Sequence, residues 1–152
     1  MTEPRNIRFA TDLVTFYAPA YWGGTGGMDD LRDLLTAGRW DPPRFWERIL
    51  DDCRAAGLDG IEITFAPGDW QGALAAYGSA RGFASALQDR GLALCSGYLS
   101  HRIPGTERYA DLADRADHGQ LVEMASGYAE FLRDCGAEVM VTSLTLRRSR
   151  DA

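Results

Sequence analysis

The chain has 152 residues and a formal net charge of −6, from 16 basic and 22 acidic residues, and it fits a single domain spanning 1–152 with a core of its own. Hydrophobic content of 45% and aromatic content of 11% exclude a disordered chain, and the acidic balance gives no electrostatic footprint for nucleic acid or an anionic membrane. All 16 basic residues are arginine, which excludes Schiff-base chemistry, lysine-anchored pyridoxal phosphate and the P-loop lysine.

Ile7 to Tyr17, rich in Ile, Phe, Val, Thr and Tyr, predicts a first strand with apolar residues on both faces, interrupted by Asp12. A long connection follows from Ala18 to about Trp40. It carries Tyr21-Trp22-Gly23-Gly24-Thr25-Gly26-Gly27 and then Leu31, Leu34 and Leu35 at helical spacing. The glycine run does not match a dinucleotide fingerprint or a P-loop, since Asp29 stands where the last glycine is needed, and it reads as a flexible lid or linker.

The first full helix has clear punctuation. Asp41 caps it, Pro42 stands in its first turn, and Phe45, Trp46, Ile49, Leu50 and Cys53 form one apolar stripe that Gly57 closes. Residues 61–65 predict strand two. Ile61, Ile63 and Phe65 point one way by the two-residue period, and Glu62 and Thr64 point the other. Pro67 and Gly68 turn the chain into a second helix from about Gln71 to Arg90, weakened by Gly78 and Gly82 and ended by Gly91. Leu92 to Leu99 is strand three, and a loop over 100–116 leads to a third amphipathic helix marked by Leu121, Met124, Tyr128, Phe131 and Leu132. Gly136 closes that helix, Glu138 to Leu144 is strand four, and the arginine-rich tail is too polar to continue the core.

Strands alternating with amphipathic helices imply right-handed crossovers and a parallel α/β sheet, ordered 1-2-3-4 with the helices on one face. Three cysteines, Cys53, Cys95 and Cys135, have no C-x-x-C spacing; Cys53 and Cys135 fall near helix ends on the apolar side and read as small buried thiols, which implies a reducing, cytoplasmic setting. The N-terminus lacks the features of a signal peptide, and no uncharged run approaches the ~20 residues that span a bilayer.

Asp59-Gly-Ile-Glu-Ile63 after a glycine-ended helix resembles the second strand of the xylose-isomerase-like TIM-barrel superfamily, which includes sugar and sugar-phosphate isomerases, epimerases and inosose dehydratases. The helix opening Asp41-Pro-Pro-Arg-Phe-Trp-Glu47, the strand Leu92-Ala-Leu-Cys-Ser-Gly-Tyr98 and the ending Cys135-Gly-Ala-Glu-Val139 are similar to that family as well. The likeness runs from strand one to strand four, the N-terminal half of a barrel that needs about 250 residues. It implies half a (β/α) barrel of isomerase, epimerase or dehydratase ancestry, in which complete relatives carry out a metal-assisted proton shift beside a carbonyl.

The family's metal ligands generally lie on later barrel strands, and the two histidines, His101 and His118, lack metal-ligand spacing. No metal ligand or cofactor is therefore assigned within this chain. Glu62 and His101 are the candidate catalytic residues: Glu62 on the lumen side of strand two, His101 directly after strand three. Their plainer readings are a carboxylate paired with an arginine and an exposed loop histidine. Tyr17, Trp22, Trp70 and Tyr98, at or after strand ends, are candidates for stacking on a sugar or polyol ring. The expected partners are such a small molecule and a second copy or a complementary half-barrel. A non-catalytic scaffold or regulatory half-barrel is the alternative, and an abasic-site endonuclease-like protein is a third reading that the acidic balance disfavours.

Overall fold

The computed structural model describes residues 8–23, 41–103, 106 and 108–142. The described chain forms a four-stranded sheet of β1 (Ala10–Asp12), β2 (Gly60–Ile63), β3 (Ala93–Leu99) and β4 (Met140–Thr142), ordered β1-β2-β3-β4. All three pairings are parallel, as strands joined by helical crossovers require. β1 and β4 are the two edges, and among the described residues no pairing closes the sheet into a barrel.

Helix α1 spans Pro42–Ala55, and its Asp41 cap accepts from the Arg44 N–H at 3.4 Å. Phe45, Trp46, Ile49, Leu50 and Cys53 are all buried, the stripe the helical period predicts. Trp46 is the largest of them, with ring centroids 5.7 Å from Phe45 and 4.9 Å from Phe83. Ile61 and Ile63 of β2, with Leu94 and Leu99 of β3, complete the same core. Each Leu, Ile or Phe fully removed from water contributes roughly 1.5–3 kcal/mol, so this layer dominates the stability of the fold.

Three elements depart from the sequence expectation. The first strand ends at Asp12, and Leu13–Tyr17 is a 3₁₀ helix. Asp12 causes the change: its Oδ1 accepts from the Val14 N–H at 2.9 Å, a local bond that competes with strand pairing. The turn then buries Leu13 and Tyr17 together.

The helix expected over 71–90 is two helices, α2 (Trp70–Tyr77) and α3 (Ala80–Gln88). Gly78 takes a left-handed conformation at φ 74°, and Ser79 caps α3 by accepting from the Gly82 N–H at 3.0 Å. Gly82 is itself demanded by the break, since a Cβ there would stand 2.5 Å from the Tyr77 carbonyl oxygen.

Phe65 is the third departure. β2 stops at Ile63, so the two-residue alternation no longer governs Phe65, which is 38% exposed instead of lying under the helices. Helix α4 spans His118–Asp134 and buries Leu121, Tyr128, Phe131 and Leu132. The glycine-rich run from Gly24, the Leu31–Leu35 segment, Leu144 and the arginine tail lie outside the described residues.

Candidate functional site

The carboxyl ends of β1, β2 and β3 open into a cleft of about 640 Å³. Strand register sets two acidic residues side by side in it: Asp12 of β1 pairs with Glu62 of β2, and Glu62 pairs in turn with Ser96 of β3, which stands behind it. Adjacent strands lie about 4.8 Å apart, so paired residues are side-by-side neighbours. The last pairing depends on an irregularity. Ile61 pairs with Leu94, but Glu62 pairs with Ser96, so Cys95 is an extra residue in β3. Without it Cys95 would face Glu62. With it, the Ser96 hydroxyl donates to the Glu62 carboxylate.

The segment after β2 forms one wall. Tyr17, 2% exposed, reaches into it: its hydroxyl donates to the Phe65 carbonyl and accepts from the Gly68 N–H at 2.9 Å. The Thr64 N–H donates to the Gly68 carbonyl at 3.2 Å, closing the turn. Asp69 then caps α2, its Oδ1 accepting from the Gly72 N–H at 2.8 Å, and this sets Trp70 at the cleft. Burial pushes the Asp69 carboxyl above its ordinary value, against the lowering effect of the Gly72 bond.

The opposite wall is the excursion between β3 and α4. Arg102 and Tyr109 pair in an antiparallel bridge, and Ile103, Ala110 and Leu121 form a small core of their own. Asp117 anchors the excursion to α4. Both its oxygens accept from Arg108 Nη1 at 2.8 Å, and Oδ2 also accepts from the Asp111 N–H at 2.8 Å. These bonds hold the Asp117 carboxyl below the usual carboxylate range, the Asp111 amide first and Arg108 second.

Of the six residues singled out from the sequence, the cleft gathers Glu62, Trp70 and Tyr98. Tyr17 is the clamp beneath the wall and does not face the cleft. Trp22 lies on the helix side, stacked on Phe45 at 5.2 Å with its Nε1 donating to the Phe16 carbonyl at 2.8 Å. His101 stands after β3 as expected, but its Nε2 meets Thr142 Oγ1 at 2.7 Å, tying β3 to β4, and it is not a lining residue. His118 opens α4 with Nε2 2.9 Å from the Leu112 carbonyl.

The structure adds Asp12, Asp69, Ser96 and Tyr109, which sequence reasoning did not single out. Asp12 had a signal, as the polar interruption of an apolar run. Ser96 had none, because only the extra residue in β3 brings it to Glu62. Tyr128 also borders the cleft, 1% exposed, with a buried hydroxyl that has no hydrogen-bond partner. Burial, then the Glu62 and Asp69 charges, push its phenol upward.

No group of three or more His, Cys, Asp or Glu among the described residues could hold a metal ion. These residues therefore do not fit the divalent metal that the family resemblance implies. No helix among the described residues is long and apolar enough to cross a membrane.

Sheet, cleft and walls define a parallel α/β protein with an acidic, aromatic-walled cleft at the carboxyl ends of its strands. Compared with family models, with curated proteins and with solved structures, the chain matches none.

Proposed function

We propose that the cleft binds a sugar or polyol, and that Glu62 is the carboxylate that handles its hydroxyl protons, in a protein of isomerase or epimerase type. The observation that carries this reading is the placement of Glu62: on the cleft side of β2, held by Ser96, in one cleft with Trp70 and Tyr98. A fixed carboxylate accepts hydrogen bonds from ligand hydroxyls, and an aromatic face covers the C–H face of a sugar ring. An ionised carboxylate beside a carbonyl's neighbouring carbon is also a general base within reach of the proton an isomerase moves. Ser96 keeps one oxygen of Glu62 occupied and so orients the other toward the ligand.

The resemblance to xylose-isomerase-like barrels supports the same chemistry. Three free cysteines, Cys53, Cys95 and Cys135, accord with a reducing, cytoplasmic setting.

The test is a titration of the protein with aldoses, ketoses and cyclitols, read by NMR shifts of the cleft residues, followed by solvent-deuterium incorporation beside the ligand carbonyl. The expected result is millimolar or tighter binding that perturbs Trp70 and Tyr98, with incorporation lost in Glu62→Gln. Absence of binding by every polyol would reject the reading. Binding without incorporation would keep the ligand and reject catalysis by this chain.

A second reading has its own observation. Val139, Met140 and Val141, at and beside the β4 edge, are 52%, 39% and 40% exposed. An apolar open edge favours association, so a non-catalytic half-barrel that pairs with a second copy or a complementary chain is the alternative. Solution mass measured across a concentration series separates the two.

A further inference from the structure

Two sets of hydrogen-bond donors at the cleft have no use within the fold. The first is the Tyr128 hydroxyl. Tyr128 borders the cleft at 1% exposure, in room that Gly97 leaves by lacking a side chain, and its oxygen has no hydrogen-bond partner. A buried hydroxyl without a partner costs stability, and a phenylalanine would fill the same space without that cost. Fold stability therefore does not account for the oxygen.

The second set belongs to α2. Asp69 Oδ1 accepts from the Gly72 N–H at 2.8 Å, which satisfies one of the open donors of the first turn. The Trp70 and Gln71 N–H groups precede it, and among the described residues neither has a partner. Both residues line the cleft. The Trp70 ring lies beside the Tyr128 ring at a centroid distance of 5.9 Å, so the two sets share one end of the cleft. After burial, the charges that raise the Tyr128 phenol are Glu62 and then Asp69, which puts its hydroxyl within electrostatic reach of both the Glu62 carboxylate and the cap of α2.

We propose that the Tyr128 hydroxyl and the Trp70 and Gln71 N–H groups receive the carbonyl oxygen of the ligand whose neighbouring proton Glu62 takes. The inference rests on the reading above and adds the electrophilic half of its chemistry. When Glu62 takes a proton from the carbon beside a carbonyl, the C–H electron pair forms a C=C bond and the carbonyl π pair moves onto oxygen. Donors held in place by α2 and α4 stabilise that oxygen as its negative charge grows. Return of the proton from Glu62 to carbon restores the carbonyl, and nothing else is consumed. Three donors suit an oxygen that only accepts, which a carbonyl is and a sugar hydroxyl is not. The Tyr128 oxygen is covered within the fold, so its contact forms as the ligand seats and shifts its neighbours.

The experiment is an NMR titration of the full chain with matched open-chain ligands: dihydroxyacetone, glycerol and glycerate, then erythrulose, erythritol and erythronate. Each ketone is expected to bind about three- to tenfold more tightly than its alditol. In Tyr128→Phe that preference should fall, while the urea midpoint stays or rises. Solvent-deuterium incorporation into the ketone should slow in the same variant by about tenfold or more. Gln71→Pro removes a second donor where proline is tolerated, as α1 shows by opening with Pro42 and Pro43, and should weaken the preference too. An alditol that binds as well as its ketone, or a preference that survives either substitution, overturns the assignment and leaves the polyol reading standing. A sugar acid that binds more tightly than its ketone also overturns it, since the donors would then serve an anion. A lower urea midpoint in Tyr128→Phe overturns it as well, because the oxygen would then have a partner in the fold. If no ligand binds, the polyol reading and this one fall together.

Discussion

Tyr17→Phe isolates the clamp that shapes one wall of the cleft. The substitution removes one oxygen and keeps the ring, including its edge contact with Phe65 at a centroid distance of 5.3 Å, so no cavity forms. That oxygen has two roles: it donates to the Phe65 carbonyl and accepts from the buried Gly68 N–H at 2.9 Å. Each hydrogen bond contributes about 0.5–1.5 kcal/mol net, and a buried donor left without a partner costs about 1–3 kcal/mol. The expected loss is therefore about 2–3 kcal/mol. That is a large share of a stability that, for a domain, lies in the range of about 5–15 kcal/mol. Urea unfolding followed by tryptophan fluorescence should show a lower midpoint with an unchanged slope, a shift of about 1 M or more. Amide exchange at Gly68 should accelerate, and polyol binding should weaken, because the wall carries Asp69 and Trp70. A loss below about 0.5 kcal/mol, with Gly68 still protected, would refute the account of Tyr17 as a clamp.

Four further outcomes follow from particular contacts. Gly97→Ala should destabilise the fold by about 1–3 kcal/mol in the same urea assay, since its Cβ would stand 2.0 Å from the Tyr128 hydroxyl oxygen. Tyr128→Phe should be neutral or stabilising by about 1 kcal/mol, because it deletes a buried hydroxyl with no partner; a clear loss would reveal an acceptor. Cys95 should react first with a thiol reagent at neutral pH, being exposed, while Cys53, buried and pushed up to about 11, should react only on unfolding. For acid stability, Asp117 has a lowered pKa in the folded protein. Its contribution is complete above the unfolded value of about 3.9 and is lost as pH falls through the folded value, so Asp117→Asn should flatten the acid limb of a pH–stability curve.

The order of elements was legible in the sequence because its signals are local. Asp41 followed by proline, the stripe Phe45–Trp46–Ile49–Leu50–Cys53 and the positive-φ glycines Gly57, Gly91 and Gly136 each act within one or two turns of chain. Alternating strands and helices then leave parallel pairing as the simple solution, and the sheet has the expected order. Glu62 was legible too, as a carboxylate between two buried isoleucines.

What the local signals missed were competitions decided by a few atoms. Asp12 bonded its own backbone and ended β1 early, and Ser79 capped a new helix after Gly78 turned left-handed. The cleft lay further from view. Periodicity along one strand says which face a residue takes, but not which residue stands beside it on the next strand. Asp12, Glu62 and Ser96 are 50 and 34 positions apart in successive steps and meet only through register, and one extra residue in β3 decides that Ser96 and not Cys95 meets Glu62. Tyr17 likewise looked like a strand-end aromatic for a ligand, and only the path of the chain through Phe65 and Gly68 turned its hydroxyl inward. The sequence by itself thus determined the alternation of strands and helices and the order of the four strands. The tertiary structure decided which side chains share a site, because that depends on distances between segments that no local pattern encodes.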